Sequence, residues 1–101
     1  MAHFLPEADE ELREAARYYE SEARGLGLAF VIAVHRAVGE LQLHPQSCPE
    51  ARLGLRRKII KRFPYSLIFS LDADSLIVVA VAHQKRRPNY WKARIDGENI
   101  G

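Results

Sequence analysis

The sequence predicts an α+β domain of order β-α-α-β-β-β, with a helix hairpin packed on a small, mainly antiparallel sheet. Two observations carry that reading. Up to residue 44 the apolar residues recur three and four positions apart, the spacing of a helix face, and from residue 56 onward they form short runs bounded by turn residues. No repeat, low-complexity segment or interdomain linker divides the 101 residues, so one core is expected over 1–95, with 96–101 as a polar C-terminal tail.

The elements follow in order. His3-Phe4-Leu5 reads as a short strand. Pro6 with Glu7, Asp9, Glu10 and Glu11 reads as a helix start, because proline suits the first turn and carboxylates favour the positive end of the helix dipole. The first helix runs to about Glu22, burying Ala8, Leu12, Ala15, Ala16 and Tyr19 and turning its acids to solvent. Gly25-Leu26-Gly27 breaks the pattern. A second helix follows, with Phe30, Val31, Val34, Ala37, Val38 and Leu41 on one side, and ends where His44 meets Pro45. Residues 45–55 read as loop. Strands are expected over Arg56 to Phe63, Tyr65 to Leu71 and Leu76 to His83, with a corner at Pro64 and a tight turn over Asp72-Ala73-Asp74-Ser75. The last two runs are apolar on both faces and are placed at the centre of the sheet.

The charge is distributed unevenly. Residues 1–50 carry nine acids and four bases, a net −5, whereas residues 51–101 carry four acids and eleven bases, a net +7. Two acid-free basic runs, Ala51 to Leu71 and Ala82 to Ile95, set cations beside aromatics where the last strand ends. Such a field steers toward a polyanion or an acidic partner; alternatively, the bases pair with the acidic front half. One cysteine, Cys48, excludes an intrachain disulfide and fits a reducing compartment. No uninterrupted run of about 18 apolar residues and no signal-peptide pattern is present, so the expected location is cytoplasmic, with no membrane partner.

His3, His35, His44, Cys48 and His83 are scattered without the paired spacing of a metal site, and no glycine-rich phosphate loop exists, so no metal or cofactor is expected. The basic clusters are the better candidates. His83, Arg86, Arg87, Tyr90 and Trp91 lie at or beyond the end of the last strand, where alternation would put Val79, Val81 and His83 on one side. In the first basic strand, Lys58, Ile60 and Arg62 would face one side and Arg57, Ile59 and Lys61 the other. Metal-free phosphodiester cleavage needs a base, a cation for the crowded phosphate and an acid for the leaving oxygen, and histidine, arginine and tyrosine include those types. Trp91 reads more readily as a lid on the core than as a stacking surface, whereas Tyr90 reads equally as packing beside it or as a stacking surface.

Pro6-Glu7-Ala8 with Glu11-Leu12, Tyr18-Tyr19-Glu20, Gly25-Leu26-Gly27 with Phe30, Leu41 through Pro45, Arg62-Phe63-Pro64-Tyr65, and His83 through Trp91 with Arg94 stand in a recognisable order. In that order and spacing, over about residues 3–94, the chain resembles the RelE/ParE superfamily of type II toxin-antitoxin toxins, nearer to its ParE-like, plasmid-stabilisation branch. The resemblance implies the fold derived above and a cognate antitoxin whose C-terminal segment wraps the domain, with operator DNA bound only through the toxin-antitoxin complex. It implies one of two targets: DNA gyrase, as for ParE, or mRNA on the ribosome, as for RelE.

The ribonuclease pattern transfers in part. Lys58 and Lys61 stand near its basic strand positions and Tyr90 near its C-terminal tyrosine, so a nuclease would use His83, Tyr90, Lys58, Lys61 and Arg86. Yet Ser66 occupies the place of the arginine expected after the middle-strand tyrosine, and His83-Gln84 that of the arginine expected at the last strand's end. The expected reading is therefore a non-enzymatic, gyrase-directed toxin. Its target- or antitoxin-binding residues would be Lys58, Lys61, Arg62, His83, Arg86, Arg87, Tyr90, Trp91 and Arg94. A non-toxic nucleic-acid-binding module is a third reading, marked by salt-steep binding to free RNA or DNA.

Overall fold

The computed structural model describes residues 2–48, 54–72 and 75–95. Strand β1 (Ala2–Phe4) leads into helix α1 (Pro6–Glu22), which turns back through residues 23–25 into α2 (Leu26–Leu43). A 3-10 turn (Pro45–Ser47) follows, then β2 (Arg56–Ile59), β3 (Tyr65–Asp72) and β4 (Ser75–His83). The sheet order is β1-β4-β3-β2, with β1 parallel to β4 and the other pairs antiparallel. The α+β class, the element order and the central placement of β3 and β4 agree with the sequence expectation. Residues 73 and 74 of the expected turn and the expected tail, 96–101, lie outside the described residues.

The helix hairpin is set by a close approach at Gly27, which belongs to α2 rather than to the break before it. A Cβ there would lie 2.5 Å from the Ala16 carbonyl oxygen, so only glycine lets the helices meet this closely. The carboxylate of Glu20 near the end of α1 accepts the backbone N–H of Gly25 at 3.0 Å and of Gly27 at 3.0 Å, filling the capping role that no residue of α2 itself supplies. Gly27→Ala should therefore destabilise the fold by about 2 kcal/mol through overpacking against backbone. Glu20→Ala should cost about 1 kcal/mol through lost capping. Urea unfolding checks both, and a Gly27→Ala protein as stable as wild type would contradict the close approach.

One face of the sheet packs against both helices around Phe30, Phe69, Leu41, Leu67, Val34 and Val78, all below 2% exposed. Helix α2 is 18 residues long with mean hydropathy 1.4, enough by length and composition to cross a membrane, which the criterion of an uninterrupted apolar run missed. Phe30, Val34, Ala37, Val38 and Leu41 lie on its buried side, as expected of a core helix. The opposite sheet face has a smaller cluster of Leu55, Ile68, Val79, Ala80 and Trp91.

Two strand expectations are corrected. The basic strand ends at Ile59 instead of Phe63, because Arg62 takes a left-handed conformation (φ 75°) and the chain turns through 61–64, closed by the Ile60 N–H to the Tyr65 carbonyl at 2.9 Å. In β4 the pairing shifts, with Ile68 opposite Ala80 but Phe69 opposite Val78, leaving Val79 as a bulge. The bulge resets the alternation. Val81 joins Val78 in the helix-side core while Val79 packs beside Trp91, so Val79 and Val81 do not share a face.

Candidate functional site

Beyond β4 the chain coils tightly. The Arg86 N–H donates to the His83 carbonyl at 3.0 Å, Asn89 adopts a left-handed conformation (φ 63°) that suits its short polar side chain, and residues 92–95 form a helical turn. The coil drops Trp91 onto the outer sheet face, 4% exposed, where it acts as a lid over Ile68 and Ala80.

The coil and the sheet enclose a groove of about 510 Å³ lined in part by Arg57, Ser66, His83, Arg86, Arg87 and Tyr90, with Trp91 at its base and, among the described residues, no carboxylate in its wall. Arg57 was absent from the expected set. It faces the groove because it pairs with Ile68, an outer-face residue, and its Nε donates to the Ser66 hydroxyl at 3.3 Å. The parity of the strand was the available signal. The His83 Nδ1 accepts the Lys85 N–H at 3.0 Å, which leaves Nε2 as the ring nitrogen not engaged by that bond. The His83 ring also meets Tyr65 edge-on, with centroids 5.0 Å apart.

The expected residues divide among three places. His83, Arg86, Arg87, Tyr90 and Trp91 line the basic groove. Lys61 and Arg62 line a second, larger groove of about 700 Å³ between α2 and β2, with Ile32, Arg36, Glu40 and Ile59. Lys58 pairs with Glu40 on its rim at 2.9 Å, and this pairing holds the Glu40 carboxyl below the usual range. Lys58 and Lys61 thus lie apart from the His83 groove. Arg94 belongs to neither groove: it forms an internal ion pair with Glu11 at 2.8 Å, both side chains about 15% exposed.

Glu11 is the residue sequence reasoning missed, having been assigned to solvent with the other acids of α1. One carboxylate oxygen accepts the Val81 N–H at 3.0 Å and Arg94 Nη1 at 2.8 Å; the other accepts the Tyr90 hydroxyl at 2.5 Å and Arg94 Nη2 at 2.9 Å. Burial pushes the Glu11 carboxyl up, but the hydrogen bonds from Arg94, Tyr90 and Val81 and the Arg94 charge outweigh it and hold the group below the usual carboxylate range. Burial, followed by the bond to Glu11, pushes the Tyr90 phenol well above its ordinary value, so it stays protonated. The Arg86 guanidinium sits 3.8 Å from the Tyr90 ring centroid. Among the described residues, Lys61, Arg62, Arg86 and Arg87 make no ion pair, so the two halves of the chain neutralise one another only at Lys58–Glu40 and Glu11–Arg94.

Comparison with known proteins adds a lineage. Residues 2–88 match the family model described as ParE toxin of type II toxin-antitoxin system, parDE. A solved chain from the chromosomal ParDE TA system of P. aeruginosa superposes with a TM-score of 0.69 at 17% identity, covering 81% of this chain and 92% of that one; at that identity the likeness is one of fold. No curated protein sequence matches the chain.

Proposed function

The chain belongs to the ParE toxin family of type II toxin-antitoxin systems, and from that premise we propose that it acts on DNA gyrase through the basic groove and is silenced by its antitoxin over the α2–β2 groove. The observation that carries the choice of target is the commitment of Tyr90. A nuclease of the related ribosome-dependent type would need that phenol free to exchange a proton with RNA, whereas here it donates to Glu11 and stays protonated. Ser66, only 3% exposed, stands where a phosphate-stabilising arginine would be needed, and the strand cations Lys58 and Lys61 lie outside the His83 groove. What remains is a cationic, aromatic-floored surface suited to contact. Growth arrest, plasmid stabilisation, action in the cytoplasm and operator binding only as the toxin-antitoxin complex belong to the same reading.

Expression of the chain alone should arrest bacterial growth, and coexpression of the antitoxin should relieve the arrest. Purified protein should inhibit supercoiling or stabilise cleaved DNA while leaving ribosome-bound mRNA intact, and Arg86→Ala or Arg87→Ala should reduce that inhibition about tenfold each. The grouping of His83 with Arg86 and Arg87 in one groove supports mRNA cleavage as the second reading. Codon-positioned cuts in a translating extract that vanish in His83→Ala would overturn the gyrase assignment.

A further inference from the structure

Strand β1 covers only part of the outer edge of β4. It pairs with Leu76 to Val78, and the Leu5 N–H to the Val78 carbonyl at 2.9 Å is, among the described residues, the last backbone bond along that edge. Immediately beyond, two side chains take the place of a strand: Arg94 Nη1 donates to the Val79 carbonyl at 3.0 Å, and Glu11 accepts the Val81 N–H at 3.0 Å. The first bond is to the bulge residue itself and the second lies two residues beyond it. Tyr90 is tied to the same carboxylate, and its ring carries the Arg86 guanidinium.

We propose that Glu11 and Arg94 are positioning residues for Arg86, acting through Tyr90: a latch between the first helix and the C-terminal turn that holds the Arg86 guanidinium in place at the groove. Arg86 is exposed and makes no ion pair among the described residues, so the Tyr90 ring is the contact that orders it. That ring is held in turn by a hydroxyl bonded to a carboxylate, which is itself gripped by both Arg94 nitrogens and by the β4 backbone. A long cationic side chain free in solvent loses rotamer entropy when it docks, and fixing it beforehand removes that cost from binding. The inference uses the reading that the basic groove meets the target, and it adds which residues make that groove rigid.

The test uses the full chain and Tyr90→Phe, which removes only the hydroxyl and keeps the ring, with Glu11→Gln as a second variant of preserved shape. The side-chain Nε–H order of Arg86, measured by 15N NMR relaxation, should fall in both variants, whereas antitoxin affinity should stay within about twofold, reporting an intact fold. Gyrase inhibition should weaken about tenfold in Tyr90→Phe, and this loss should disappear when Arg86→Ala is already present, because the latch acts through that one side chain. Unchanged Arg86 order in the variants, or full additivity of Tyr90→Phe with Arg86→Ala, would overturn the latch. If Arg86 loosens as expected but wild type leaves gyrase untouched, the latch stands and the target assignment falls.

Discussion

Glu11→Ala is expected to lower the unfolding free energy by about 3 kcal/mol, because it strands three groups at once. The Arg94 guanidinium would be left about 15% exposed without its counter-charge, the Val81 N–H would face no acceptor, and the Tyr90 hydroxyl would lose its partner. In a domain of this size that loss corresponds to a drop of roughly 10–20 °C in Tm. Glu11→Gln should cost less, since the amide oxygen can still accept one or two of those bonds. The pH dependence has a definite sign. The folded-state pKa of Glu11 lies below the unfolded value near 4.5, so its stabilisation is full above that value and is lost as the pH falls through the folded pKa. Wild type should therefore weaken on acidification below about pH 4.5, while Glu11→Gln, which has no such proton to take up, should show a flatter profile and approach wild type at low pH. Urea unfolding at pH 7 and pH 3 reads both effects. A Glu11→Ala protein within about 1 kcal/mol of wild type at pH 7 would mean that the pair is solvated and that the clamp does not hold the C-terminal turn.

The same residue marks where the sequence could be read and where it could not. Helical spacing located α1 and α2 and their buried faces, because Leu12, Phe30, Val34 and Leu41 repeat with the period of the backbone itself. Glu11 stands three residues after Ala8 and four before Ala15, on the flank of the buried stripe, and that position was a legible sign of an acid needing a partner. Its partners were not legible. They lie 70 to 83 residues away, beyond a bulge at Val79 that no local spacing announces and that reverses the side on which Val81 emerges. The basic clusters were correctly seen as dense in charge but wrongly gathered into one surface. Lys58 pairs with Leu67 on the helix side, whereas Arg57 pairs with Ile68 on the other, and the early turn at Arg62 sends Lys61 toward α2. Parity and turn geometry, rather than composition, decide which cations meet.

That division leads to the other large effect, on the antitoxin. The α2–β2 groove offers Ile32 and Ile59, 45% and 60% exposed, with Arg36, Lys61 and Arg62 along it and β2 as the edge strand of the sheet among the described residues. Apolar anchors flanked by cations beside an edge strand suit an acidic amphipathic segment added as a helix or strand. Lys61→Glu with Arg62→Glu should weaken the antitoxin complex on the order of 100-fold, mostly by slowing association, and should reduce the salt dependence of binding. Ile59→Asp should raise the dissociation rate instead, by placing a charge against an apolar anchor. Arg62→Gly separates charge from folding: glycine accepts the left-handed backbone at this position more readily than arginine, so stability should hold or rise by up to about 1 kcal/mol while antitoxin affinity falls. Arg87→Glu, in the other groove, should leave the antitoxin complex intact. Surface plasmon resonance at two salt concentrations distinguishes these outcomes, and unchanged affinity in the Lys61, Arg62 double variant would move the antitoxin to another face of the toxin.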